Sequence, residues 1–315
     1  MKILIVNHHP HDVVGGSEIQ ADLIATYLAR FGHDVVYFAV DGQQPQYQTN
    51  YLVEPHPLNL SQFRKVLAQH RPDLVYWRFN KRRFLPSVVL LKMMRVKIVF
   101  AIAHGNDVRK WSHKLKGDPG DFTGIIRKWR LIIRAALSSR IHHFGYYFVD
   151  GVIAQLHQQT GKLPVYKERV IPNLFMEDAG APFHWEKPFI VWAATIKPAK
   201  NPEMFIELAQ NLQGTGIDCL MVGNVQRARY TMLLHDPGLS KNFHYLGAKQ
   251  PAEVNGILQQ ALFLVHTCQP EGMPNIFIQA WKQGKPTVSL YYDPDKMIQD
   301  HNIGYLSGNF EQLVK

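Results

Sequence analysis

The sequence predicts an α/β protein built as two doubly wound, Rossmann-like domains that face each other across a cleft. Three observations predict it. Short β-branched runs alternate with segments of helical period along the whole chain, the pattern of right-handed βαβ units on a buried parallel sheet. The alternation breaks once, over 173–188, where no clean period holds, and then starts again. The chain has 315 residues, 46% of them hydrophobic and 19% charged, which is enough apolar material for two cores.

The elements follow in order. "KILIVN" (2–7) reads as a buried strand. Residues 16–31, "GSEIQADLIATYLARF", place apolar residues at helical spacing and stop at Gly32. "DVVYFAV" (34–40), "DLVYWRF" (73–79), "VKIVFAI" (96–102), "DGVIAQL" (150–156) and "ERVIPN" (168–173) are further strands of the first domain, 1–172. A linker spans 173–187. The second domain, 188–315, runs through "FIVWAAT" (189–195), a helix at 201–212, "IDCLMVG" (217–223) and a helix near 226–234. It continues with "NFHYLG" (242–247), a helix at 251–260, "ALFLVHT" (261–267), a helix after Pro274 and "KPTVSL" (285–290). The last residues, "GNFEQLVK", read as the start of a helix, so this domain is expected to lack its final elements.

Composition narrows the function. A formal charge of +10 favours anionic partners: nucleic acid, phosphorylated small molecules or an anionic membrane. No motif specifies nucleic acid. Cys219 and Cys268 lie in apolar runs and read as buried free thiols, with no zinc spacing. "MKILIVNHHP" is a strand rather than a secretory leader, and no run approaches 18 apolar residues. These features suit a reducing, cytoplasmic setting.

Four strand-to-helix junctions carry candidate chemistry, because ligands of such sheets sit beyond the carboxyl ends of the strands. In "HHPHDVVGGSEIQ" (8–20), Gly15 and Gly16 let backbone N–H groups approach a ligand at a helix start. The loop is too long for the dinucleotide fingerprint and lacks G-x-G-x-x-G. A plain flexible loop is the other reading. "AIAHGNDV" (101–108) puts His104 at a sheet edge with Asp107 nearby. In "ATIKPAKNPEMFIELA" (194–209), Lys197 and Lys200 precede a helix N-terminus. Cations there oppose the helix dipole, and a bound anion would remove the conflict. In "QPEGMPNIFIQAWKQGKPTV" (269–288), Pro274 suits the first helical position. The N–H groups around Gly272, Met273 and Asn275 can cup an anion, and Glu271 can accept hydrogen bonds from neutral hydroxyls such as those of a sugar. Gln279, two turns into that helix, can hydrogen-bond a diol.

These features together resemble the retaining glycosyltransferases of family 4 (glycosyltransferase group 1), which have the GT-B fold. The resemblance rests on Gly15–Gly16, His104 with Gly105, "VIPN" at 170–173, the lysine-bearing loop, "MVG" at 221–223 and "PEGMPNIFIQA" at 270–280. It spans essentially the whole chain and is densest over 268–288. It implies glycosyl transfer from a nucleotide-diphospho-sugar with retention at the anomeric carbon. The acceptor would be a glycan or a lipid-linked molecule, in cell-surface polysaccharide or glycolipid assembly. Glu271 would touch donor-sugar hydroxyls, and Lys200 the diphosphate. Gln279 stands where the family's second acid usually holds the ribose. Thr195 stands where an Arg is usual, and Lys197 is the candidate replacement. Gly15 and Gly16 would face the diphosphate, and His104 would lie near the reacting carbon. Catalysis would then be electrostatic, with no cofactor and no metal. Asp293 and Asp295 form the one D-x-D and read as a loop or helix start.

Residues 109–143 hold nine Lys/Arg and two Asp. From Ile125 to Leu137 basic and apolar residues share a helical period. One reading is a helix lying on an anionic membrane with Trp129 at the interface. The other is a helix whose apolar face packs on the sheet and whose basic face is solvated. Two further functions stay open: a nucleotide-sugar epimerase, and a degenerate, non-catalytic nucleotide-sugar binder suggested by Gln279 and Thr195.

Overall fold

A computed structural model describes residues 1–80, 82–105, 107–108, 125–175, 180–269 and 271–315. The chain forms two compact units, Met1–Leu174 and Phe175–Lys315. Each is a parallel α/β sandwich of the Rossmann type.

In the first unit the chain runs β1 (Lys2–Asn7), α1 (Gly16–Arg30), β2 (Asp34–Val40), β3 (Leu52–His56), α2 (Leu60–His70), β4 (Leu74–Trp77), α3 (Phe84–Met93), β5 (Lys97–Ala101), α4 (Ile125–His143), β6 (Gly151–Ala154) and β7 (Glu168–Val170). The seven strands lie in the order β3-β2-β1-β4-β5-β6-β7, all parallel. Alternate residues of each strand face opposite sides. Leu4, Val6, Val36, Phe38 and Trp77 meet Phe63 and Leu67 of α2 and Val88 and Leu91 of α3. Ile3, Ile5, Val35 and Tyr37 meet Ala21 and Ala25 of α1 on the other face.

The second unit runs β8 (Phe189–Ala193), α5 (Pro202–Asn211), β9 (Asp218–Val222), α6 (Ala228–Leu234), β10 (Phe243–Tyr245), α7 (Pro251–Gln260), β11 (Leu264–His266), α8 (Asn275–Lys282), β12 (Thr287–Ser289), α9 (Met297–Asp300), β13 (Gly304–Leu306) and α10 (Phe310–Val314). Its parallel sheet has the order β10-β9-β8-β11-β12-β13. Ile190, Trp192, Cys219 and Met221 pack under Phe205, Ile206 and Ala209 of α5 and Tyr230 of α6. Cys219 and Cys268 are buried free thiols, as their apolar surroundings suggest. Gly256 of α7 lies against Gly180, where the chain enters the second core. A Cβ on Gly256 would collide with the carbonyl oxygen of Ala181.

Two sequence expectations change. β3 has no counterpart in the sequence reading, because Glu54 and Pro55 interrupt its apolar pattern. It is an edge strand, paired only to β2 among the described residues, and proline is tolerated there. Over the described side chains of α4, Arg130 and Arg134 are exposed as one reading expected, but part of the apolar face is not packed on the sheet. Trp129, Ile133, Leu137 and Ile141 recur every four residues and are 60%, 54%, 53% and 53% exposed. Phe144, Tyr147 and Phe148 continue the exposed apolar surface beyond the helix. Arg130 and Arg134 are exposed beside them, and the Arg140 guanidinium lies over the Phe144 ring at 5.0 Å. The opposite side, with Ser139 and His143, is buried. Residues 109–124 of the segment lie outside the described residues.

Candidate functional site

In each sheet the strand order reverses beside the first strand of the unit. The reversal lies between β1 and β4 in the first unit and between β8 and β11 in the second. The loops leaving these strands diverge to opposite faces and open a crevice at the carboxyl edge, the usual ligand position in such sheets.

In the second unit the crevice holds the Lys200–Glu271 pair. Lys200 sits on the loop from β8 to α5, and Glu271 on the loop from β11 to α8. Lys200 Nζ is 2.5 Å from Glu271 Oε1 and 2.6 Å from Oε2. The side chains are 17% and 21% exposed. Burial alone would raise the Glu271 pKa, but His266, once protonated at acid pH, and Lys200 outweigh it and hold the carboxyl at about 2. Burial also works against the charge on Lys200, and Cys268 and Glu271 overcome it, so the ammonium titrates above its ordinary range. Burial pushes the Cys268 thiol up to about 12. For Lys200, the anion called for at the start of α5 is therefore supplied by the chain itself, as Glu271.

Residues that sequence reasoning did not single out lock this pair in position. Thr267 Oγ1 accepts from Trp192 Nε1 at 2.8 Å and donates to the Lys200 carbonyl at 2.8 Å. Asn201 Nδ2 donates to the Thr267 carbonyl at 3.1 Å. The two loops are thus stitched across the β8–β11 junction. Tyr292, beyond β12, donates its hydroxyl to the carbonyl of Glu271 at 2.8 Å. His266 ends β11 and places Nε2 3.6 Å from Glu271 Oε1. "ALFLVHT" shows His266 at a strand end, but nothing in a linear sequence shows which carboxylate it meets.

Gly272, Met273 and Pro274 are buried beside Glu271, and Asn275 is half-buried. Pro274 differs from expectation. It is the residue before α8, with φ −68° and ψ 122°, rather than the first helical residue. Its fixed φ suits an extended entry as well as a helix start, and the C=O of Pro274 accepts from Phe277 N–H at 3.1 Å. Among the described residues no side chain caps α8. Gln279 is half-buried in α8, and its Nε2 donates to Asn255 Oδ1 of α7 at 3.3 Å. Lys197 and Thr195 are half-buried on the β8–α5 loop. Pro270 lies outside the described residues.

His266, Cys268 and Glu271 bring one donor atom each within 4.8 Å. A metal ion there would stand against the Lys200 ammonium, which already holds both oxygens of Glu271. The donor set suits a charge network better than an ion cage. Asp293 of the D-x-D accepts from the N–H groups of Ile298 and Gln299 at 2.8 and 3.2 Å, so it caps α9. That agrees with its reading as a helix start.

In the first unit, Gly15 is the residue before α1 and Gly16 opens the helix. Gly15 has φ −159°, extended backbone open to any residue, so its lack of a side chain matters rather than its flexibility. A Cβ there would meet the Glu18 carboxylate. The preceding loop is not a plain one. His8 Nδ1 is 2.7 Å from the Val40 carbonyl. His9 is fully buried, its Nε2 is 3.0 Å from Tyr51 Oη, and Tyr51 donates in turn to Asp22. Burial drives the His9 pKa down to about 4, and His11 adds to the effect. Asn7 Nδ2 donates to Ser17 Oγ, and Ser17 donates to the Arg78 carbonyl, tying β1, α1 and the end of β4 together. Asn173, of "VIPN", accepts from Arg78 Nη2 at 3.0 Å. His104 is half-buried beyond β5. Asp107 accepts from the N–H groups of Ala103 and His104, so this carboxylate shapes the turn that carries His104.

With fold and site in view, the chain can be compared with known proteins. Residues 178–314 match the family model for Glycosyl transferases group 1. The chain resembles the crystal structure of Alr3699/HepE from Anabaena in complex with UDP and glucose, with 19% identity and TM-score 0.68. It also resembles WaaG, a glycosyltransferase involved in lipopolysaccharide biosynthesis, with 14% identity and TM-score 0.71. A third similar structure is sucrose-phosphate synthase from Thermosynechococcus elongatus, with 14% identity and TM-score 0.69. Each comparison covers 100% of this chain and 88% of the other. No curated protein matches the chain at a significant level. The fold, two Rossmann-like units, is that of these GT-B structures. The segment that matches the Glycosyl transferases group 1 model lies within the second unit.

Proposed function

We propose that the protein transfers a sugar from a nucleotide-diphospho-sugar to a glycan or lipid-linked acceptor, with retention at the anomeric carbon and without a metal ion. One observation carries the reading: the half-buried Lys200–Glu271 pair at the strand-order reversal of the second unit, within the segment that matches the family model. The Anabaena relative is bound to UDP and glucose in one structure and to UDP-glucose in another, which makes a uridine nucleotide the first donor to test.

In this reading Lys200, with Lys197, turns to the donor diphosphate, and the N-terminus of α8 at Met273–Asn275 faces the same charge. Glu271 accepts hydrogen bonds from the donor-sugar hydroxyls, and Gln279 holds the ribose. Within the first unit, Gly15 and Gly16 are the candidate phosphate-facing turn, and His104 is the candidate acceptor-side residue. As the bond from the anomeric carbon to the phosphate oxygen breaks, that oxygen takes the acceptor's proton and the acceptor oxygen bonds to the same face. Fixed positive groups stabilise the charge that develops on the leaving diphosphate.

The acceptor is assigned to the surface of an anionic membrane, as in polysaccharide or glycolipid assembly. What supports this is the exposed Trp129–Ile133–Leu137–Ile141 stripe flanked by Arg130 and Arg134, a pattern suited to lying in the headgroup region. No helix among the described residues is long and apolar enough to cross a membrane, so attachment would be peripheral, on the cytoplasmic face. A second reading, a non-catalytic nucleotide-sugar binder, is favoured by the amide of Gln279 and by Thr195.

The test is a thermal-shift screen of nucleotide-diphospho-sugars, UDP-glucose first, followed by nucleotide release with chelator present and anomeric analysis of the product. Transfer with retention that Glu271→Ala abolishes supports the reading. Binding without turnover selects the non-catalytic alternative. An inverted product or a strict metal requirement removes the mechanism.

A further inference from the structure

His266 is 4% exposed, and its ring is fixed on two sides. Its edge meets the Phe277 ring at 4.6 Å and 75°. Its Nδ1 lies 3.2 Å from Ser289 Oγ, on the neighbouring strand β12. The Ser289 hydroxyl has one proton and gives it to the Tyr292 carbonyl at 2.6 Å. Ser289 Oγ is therefore the acceptor towards His266, and Nδ1 carries the ring proton. The neutral ring then turns a bare lone pair at Nε2 towards Glu271 Oε1, 3.6 Å away. Nε2 has no hydrogen-bond partner among the described residues. Two acceptors thus face each other in a buried place, an arrangement that needs a nearby proton donor.

Lys200 explains why the arrangement persists. Its ammonium holds both oxygens of Glu271, so the carboxylate is already satisfied and imidazole need not be charged. Burial keeps His266 neutral, Glu271 favours its protonation, and Lys200 opposes it. The groups around the ring are Glu271 and the Cys268 thiol on its own loop, the thiol kept protonated by burial, Lys200 from the β8–α5 loop, and the uncharged Ser289, Tyr292 and Phe277. The balance between the carboxylate and the ammonium decides the charge.

We propose that His266 is a positioning residue for Glu271: when an anionic ligand draws Lys200 off the carboxylate, His266 Nε2 takes up a proton from solvent and becomes the donor that holds Glu271 Oε1. The proposal rests on the donor-binding role of Lys200 and Glu271 given above. An approach of about 0.7 Å brings the 3.6 Å separation to hydrogen-bond length. The movement falls to Glu271 on its loop, because His266 is anchored on a strand. Glu271 then keeps its aim at the sugar hydroxyls after its ion pair has opened.

The test follows the His266 ring by NMR of histidine-labelled protein, with its resonance assigned from His266→Gln. Lys200→Met opens the ion pair without any ligand. The apparent His266 pKa should rise by about one unit or more in Lys200→Met, and the rise should vanish in Lys200→Met with Glu271→Gln. An unchanged His266 in Lys200→Met overturns the proposal whether or not nucleotides bind. In the wild type, saturation with UDP should produce the same rise, and calorimetry in buffers of different ionisation enthalpy should show proton uptake. UDP binding without uptake overturns the proposal and leaves the transferase reading standing. If no nucleoside diphosphate binds, the transferase reading falls, and the ligand-driven step proposed for His266 falls with it. In turnover, His266→Phe should lower kcat about tenfold with little change in donor KM, and His266→Gln, which keeps an N–H donor, should recover part of it.

Discussion

Lys200 Nζ and the carboxylate of Glu271, 71 positions apart in the chain, meet at 2.5 and 2.6 Å. The pair is therefore neutral within itself before any ligand arrives, and Lys197 is a further cation on the same loop. An anionic ligand has to compete with Glu271 for Lys200, and affinity reflects the difference between the two pairings.

Glu271→Gln separates these roles. It removes the competing charge and keeps the shape, so UDP binding should tighten about three- to tenfold while transfer falls about 100-fold or more. Lys200→Met should weaken UDP binding about 10- to 100-fold. Calorimetry beside initial rates checks both. Weaker UDP binding in Glu271→Gln would show that the carboxylate does not compete for the lysine.

Stability should depend on acid in two steps. His9 is held down, from 6.5 to about 4, so its contribution is complete above pH 6.5 and is lost as pH falls towards 4. Glu271 is held down, from 4.5 to about 2, so its contribution is complete above pH 4.5 and is lost towards pH 2. The His9 step should cost on the order of 2–3 kcal/mol. Urea unfolding at pH 7 and pH 4.5 should show His9→Gln losing less than wild type over that interval. An equal loss in both would remove His9 as a cause.

Gly256→Ala should destabilise the second unit by about 2–4 kcal/mol. The new Cβ would collide with the Ala181 carbonyl, whose own N–H is bonded to the Ala252 carbonyl at 2.8 Å. That backbone cannot yield without breaking its contact with α7. Differential scanning calorimetry should show the transition of the second unit lowered and that of the first unit unmoved. A shift in the first unit's transition would contradict this assignment.

Replacing Trp129, Ile133 and Leu137 together by Gln should reduce co-sedimentation with vesicles of anionic lipid about tenfold or more. Melting should be unaffected, since these side chains are exposed. Arg130→Gln with Arg134→Gln should instead weaken the salt dependence of binding. Undiminished binding by the apolar triple variant would remove α4 as the contact.

Gln279→Glu tests the ribose role proposed for Gln279. The amide now donates to Asn255 Oδ1; a carboxylate would accept from the Asn255 amide and offer a second acceptor to a ribose diol. UDP affinity should rise about threefold. No change would take Gln279 out of the ribose role.

The alternation of strands and helices is legible in the sequence, because buried parallel strands must be apolar on both faces and cannot hide their pattern. The positions of Lys200 and Glu271 at strand-to-helix junctions follow from the same alternation. β3 escapes because an edge strand is free to carry Glu54 and Pro55. The sequence by itself determined two Rossmann-like units and set Lys200 and Glu271 on loops that follow strands, through periodicity and local turn residues. Only the tertiary structure decided that Lys200 meets Glu271, that Ser289 sets the tautomer of His266, and that the apolar stripe of α4 faces outward. Those outcomes depend on strand order and on which helix face finds a neighbour. Both are settled by contacts between residues far apart in the chain, which no local pattern records.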